Sequence, residues 1–131
     1  MSSEPAESTD GFIRRALRGA RTKSGLPHPW VFELRQGETA LSLYDGRRST
    51  PQDVCHAYEV RSGKSGAGAL LLHDSTLDQS FEVEEDPTEE IIVGVAHVAA
   101  RPRRLDADGQ IPLEVRETLC LEATWLIIPG P

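Results

Sequence analysis

The chain has 131 residues, 38% of them hydrophobic and 5% aromatic, with a formal net charge of −7. That length suits one domain around one core. No apolar run approaches the roughly 18 residues that span a bilayer, two cysteines are too few for a disulfide scaffold, and the acidic surplus argues against tight sequence-independent DNA binding by the whole domain.

The charge is unevenly placed. Gly11 to Lys23 holds five cations and no acid, and Asp74 to Glu90 holds eight acids and no base. Residues 1–10 are polar and read as a disordered tail. They have no basic start followed by an apolar stretch, so no secretory leader is read and the cytoplasm is the expected location.

Residues 11–23, "GFIRRALRGARTK", read as a basic helical arm, with Phe12, Ala16 and Gly19 at helical spacing and Ile13 and Leu17 beside them. Two glycines and a thin apolar face would leave such a helix marginal until docked. Arg14, Arg15, Arg18, Arg21 and Lys23, anchored by Phe12 and Leu17, are therefore the expected partner-binding residues. "SGLPHP" breaks the chain with two prolines, and a single folded domain is expected over 28–131.

"WVFELR" alternates, with Trp30, Phe32 and Leu34 on one side. It reads as a half-buried strand forming a hairpin with "TALSLYD" through "QGE". "STPQDVCHAYEVRSG" carries a helix signature: Thr50 as N-cap, Pro51 in the first turn, Asp53 near the N-terminus and Gly63 at the C-terminal stop. Val54, Ala57 and Tyr58 form its apolar face.

"GALLLHD" reads as a buried strand, "STLDQS" as a turn of helix, and "SFEVEED" as a strand with Phe81 and Val83 inward. "EIIVGVAHVAA" is apolar on both faces, the pattern of a central strand. The central strands are thus expected at Gly68–His73 and Ile91–Val98. The last segment fits both period two and a helix. The preferred reading is a helix from Pro112 to Glu122 followed by an extended end.

The stretch "RSGKSGAG" resembles the end of a phosphate-binding loop. The pattern G-x-x-x-x-G-K-[ST] fails because its first glycine falls on Tyr58. The order is also inverted, since a helix here precedes the loop and a strand follows. Cys55 and His56 diverge by about 100° on a helix and do not face each other. His73, Asp74 and Ser75 are contiguous, whereas hydrolytic triads are assembled from separate positions. His97 shares its expected face with Ile91, Val93 and Val95 and reads as a buried, satisfied core residue. No spacing of metal ligands such as C-x-x-C appears. No catalytic residue, metal or cofactor is assigned. Glu82, Glu84, Glu85 and Asp86 are read as an acidic protein-binding face.

The middle of the chain, "FELRQGETALSLYDGRRSTPQDVCHAYEV", resembles small uncharacterised bacterial proteins with F-x-L-R, L-S-x-[YF]-D and S/T-P-x-x-V segments. The resemblance implies a bacterial origin and no activity. Twelve arginines against two lysines are compatible with a GC-rich genome.

These readings give an α+β fold: one small domain, with a mixed or mostly antiparallel sheet of about five strands and two or three helices. The expected function is that of a non-enzymatic interaction protein, an accessory or adaptor subunit with a protein partner. Two alternatives stand beside it. One is a small hydrolase or transferase using Cys55 or a histidine. The other is a nucleic-acid-associated protein using Arg14 to Lys23 and Arg101 to Arg104.

Overall fold

The computed structural model describes residues 10–131. The tail reading of residues 1–10 therefore falls outside the described residues except at Asp10, which is exposed. The strands are β1 (Phe12–Ala16), β2 (Leu41–Asp45), β3 (Gly68–Leu72), β4 (Phe81–Glu85), β5 (His97–Pro102) and β6 (Thr124–Ile127). The helices are α1 (Pro51–Ser62), α2 (Asp74–Asp78) and α3 (Leu113–Glu122). All six strands form one antiparallel sheet in the order β4-β5-β2-β1-β3-β6. The fold is α+β, as expected, with one strand more than foreseen.

The extra strand is a correction. Residues 11–23 do not form a helical arm; Phe12–Ala16 is a strand in the middle of the sheet. It pairs with β3 over five residues, from Phe12↔Leu72 to Ala16↔Gly68. Its apolar spacing also fits a helix because a strand with arginine on both faces shows no clean alternation. Gly11 begins it at φ +139, where a Cβ would lie 2.6 Å from the Leu72 carbonyl oxygen, so glycine is required for the strand to enter this close to β3.

Two further elements differ from expectation. Trp30 to Arg35 is not a hairpin strand: Pro29–Phe32 is a 3-10 helix, with His28 Nδ1 accepting from the Trp30 amide. Val31 and Phe32 are both buried although adjacent, which a flat strand with one solvated face does not allow. β2 pairs instead with β1 and β5. Ile91–Val98 is not a central strand either; β5 begins only at His97.

The capped elements form as read. Thr50 accepts from the Asp53 amide, and Gly63 closes α1 at φ +73. α3 is followed by the extended β6. Both faces of the sheet are covered. One layer packs Phe32, Leu41, Leu43, Leu70, Leu72, Leu77 and Leu119 beneath α2, α3 and the Pro29–Phe32 helix. The other packs Ile13, Tyr44, Val54, Cys55 and Ala69 beneath α1. β3 is buried at every residue because both layers close over it.

Candidate functional site

The β1–β2 ladder is short. Phe12 faces Asp45 and Ile13 faces Tyr44, and the pairing ends there. The Arg14 side chain enters the gap. Its Nε and one terminal nitrogen donate to the Val31 carbonyl at 2.9 and 2.7 Å, and the other terminal nitrogen donates to the Ser42 carbonyl at 3.0 Å. Val31 belongs to the 3-10 helix and Ser42 to β2, so one guanidinium joins elements that backbone pairing leaves apart. Burial pushes its pKa down to about 10, with nearby Glu38 acting in the opposite direction.

Arg15 points to the other layer. It donates to the Val54 carbonyl of α1 at 3.1 Å, to the Tyr44 hydroxyl at 3.2 Å and to Glu90 at 3.3 Å. Its guanidinium carbon lies 5.3 Å from the Tyr44 ring centroid and 5.1 Å from that of Tyr58. Arg61 of α1 reaches the same Glu90 carboxylate at 2.7 Å, and the Tyr44 hydroxyl donates to its second oxygen. Burial alone would raise the Glu90 pKa; the Tyr44 hydroxyl and the two guanidinium groups outweigh it and hold the carboxyl below its usual value. Burial pushes the Tyr44 phenol up to about 12, and its bond to Glu90 acts the same way.

Around these groups opens a cleft of about 660 Å³. Trp30, Val31 and Arg35 line it from one layer, and Tyr44, Tyr58, Arg61 and Glu90 from the other. A cleft lined from both layers follows from a sheet whose middle pair separates after two rungs.

Glu90 also anchors a loop. The Gly94 amide donates to the Glu90 carbonyl at 3.1 Å, the Thr88 amide to the Gly94 carbonyl at 2.9 Å, and the Val93 amide to the Ile91 carbonyl at 2.7 Å. That last bond closes a three-residue γ-turn centred on Ile92 at φ +70, the only non-glycine residue with positive φ among the described residues. A β-branched residue is strained there. Val93 is buried and Gly94 packs so tightly that a Cβ would meet the Thr88 carbonyl oxygen at 2.2 Å. Ile91, Ile92 and Val95 nevertheless stand 69%, 61% and 59% exposed.

The residues singled out from the sequence fall in different places. Arg14 and Arg15 are turned into the molecule. Phe12 packs against the core, with the Arg47 guanidinium 5.4 Å from its ring, and Leu17 lines the cleft. Arg18 donates to the Ser65 carbonyl at 2.8 Å, while Arg21 and Lys23 are exposed. No common basic stripe results. Arg101, Arg103 and Arg104 are each paired with a glutamate: Glu84, Glu82 and Glu114.

Of the acidic face, Glu82, Glu84 and Glu85 lie on β4, an edge strand, and Asp86 follows it. His97 is buried at 7% exposure, but Ile91 and Val95 do not share its environment. Its Nδ1 donates to the Asp86 carbonyl at 2.7 Å, and its ring meets Tyr44 edge-on at 5.3 Å. Cys55 and Cys120 are buried, and burial pushes each thiol up to about 11. Sequence reasoning missed Tyr44, Arg61 and Glu90 as a set. They lie on β2, α1 and the β4–β5 connection, and no local spacing links them.

No family model, no curated protein and no solved structure matches the chain. Among the described residues no helix is long and apolar enough to cross a membrane.

Proposed function

We propose that the protein is a non-enzymatic interaction module, an accessory subunit that docks through the Glu90–Val95 loop. The carrying observation is that this loop is internally hydrogen-bonded and strained, yet presents Ile91, Ile92 and Val95 to solvent. A hydrogen-bonded loop that exposes three β-branched side chains leaves surface unburied that a partner would cover. Strain of this kind persists where surrounding structure enforces it and clusters at functional segments. The basic segment, as a central strand, no longer supports the reading of an attachment arm.

Exposed Glu85, Asp86 and Glu89 flank the loop. The partner that fits is a protein with an apolar pocket rimmed by lysine or arginine. Two buried thiols held at high pKa lack the activation that nucleophilic cysteines show, which favours this reading over the enzymatic one. Two free cysteines also suit a reducing cytoplasm.

The test is affinity capture from the native host with the full chain and with Ile91→Asp/Val95→Asp, followed by titration of the purified partner. The proposal expects one basic partner retained by the first chain, lost by the variant, and bound with an affinity that falls as salt rises. Equal retention by both chains, or self-association through the loop in light scattering, would overturn it.

A further inference from the structure

Arg14 is the second unusual group. Among the described residues, the three hydrogen bonds it makes all go to neutral carbonyls, at Val31 and Ser42. A guanidinium has five N–H donors, so two remain. A partly buried cation without a bonded anion is poorly compensated. The glutamates of the cleft do not supply one. Glu33 is held by Arg116 at 2.9 Å, and Glu90 by Arg15 and Arg61. Glu38 contributes at a distance, but its Oε1 accepts from the Arg35 amide at 2.7 Å, out at the exposed rim.

The space is of ligand size. About 660 Å³ lies within the roughly 300–1,000 Å³ of small-molecule sites. Beside Arg14, the lining includes two apolar residues that are not in the buried core, Trp30 and Leu17. Arg35 adds a second cation at the rim. The donors suit an oxyanion, and the apolar wall suits a small hydrophobic or planar body.

We propose that the gap between β1 and β2 is a binding site for a small organic oxyanion, a carboxylate or a phosphate ester with an apolar body, seated on the Arg14 guanidinium. The oxyanion accepts the two remaining donors and supplies the missing negative charge. Trp30 and Leu17 cover the rest of the molecule. The site opens on the same cleft as the Glu90 side chain, but it uses none of the exposed Ile91, Ile92 and Val95 side chains and does not rest on the docking proposal.

The probes are benzoate, phenyl phosphate and the neutral benzamide, titrated at constant ionic strength into the isotopically labelled full chain. The readout is the amide NMR signals of residues 14–17, Val31 and Ser42. Saturable shifts with at least one anion, and none with benzamide, are expected. Response to benzoate alone or to phenyl phosphate alone tells which oxyanion the site takes. Arg14→Gln should raise the midpoint roughly tenfold or more, the scale of one charge-assisted hydrogen bond. If that variant fails to fold, the comparison of anion with benzamide on the unaltered chain still decides. Equal response to benzamide, shifts confined to Arg21 and Lys23, or no saturable shift up to the solubility of each probe would overturn the proposal.

Discussion

Arg14 and Arg15 are neighbours in sequence and end in different layers, because successive residues of a strand point to opposite faces. Arg14 bonds the carbonyls of Val31 and Ser42; Arg15 reaches α1, Tyr44 and Glu90. Replacing Arg14 by alanine leaves two carbonyls without that donor in the partly buried gap. The expected loss is about 2–3 kcal/mol, read from urea denaturation. Glu90 carries a pH dependence of known sign. Its folded pKa lies below its unfolded value, so its stabilisation is present above the unfolded pKa and is lost as pH falls through the folded one. Glu90→Gln should therefore destabilise the protein at pH 7 by about 1.5–3 kcal/mol. It should also flatten the acid limb of stability below about pH 4.5, the ordinary carboxyl range. Parallel pH profiles for the two chains would show that the Glu90 carboxyl of the unaltered chain titrates alike folded and unfolded, against this account.

Among the elements, the Glu90–Val95 loop shows most clearly how tertiary structure overrides a local pattern. Ile92 pays a conformational cost in the γ-turn that asparagine, tolerant of positive φ, largely avoids. Ile92→Asn should stabilise the fold by about 1 kcal/mol while weakening partner binding, a trade seen where strain serves function. A midpoint of thermal unfolding that falls instead would mean that the isoleucine side chain is needed for packing. The same comparison explains which parts of the fold were readable. α1 was legible because its signals are chemical and local: the Thr50 hydroxyl on the Asp53 amide and Gly63 at positive φ. β3 was legible from its unbroken apolar run and β4 from its alternation, whereas the α3 segment fits both periods and its period alone did not decide it. The Ile91–Val98 run misled because its residues follow a tight turn, with Val93 inward and Ile91, Ile92 and Val95 outward, rather than a period of two. The Pro29–Phe32 segment misled because its alternation of large side chains is equally compatible with one turn of 3-10 helix. The cleft was not legible, since its members come from β1, β2, β5, α1 and two connections that only the fold brings together.

For the whole molecule, the decisive fact is the position of β1. It lies between β2 and β3, its Arg14 fills the gap that makes the cleft, and its Arg15 helps to hold the Glu90 anchor of the exposed loop. Both proposed surfaces therefore depend on a segment whose composition reads as a detachable basic arm. Native-state hydrogen exchange tests this most directly, because amides of a central strand exchange only when the protein opens globally. The β1 amides that pair with β3 should be protected to the level of global unfolding, with free energies equal to those of the β3 amides. Rapid exchange of residues 12–16 while β3 and β5 stay protected would contradict the account, and would return the basic segment to the role of an attachment arm.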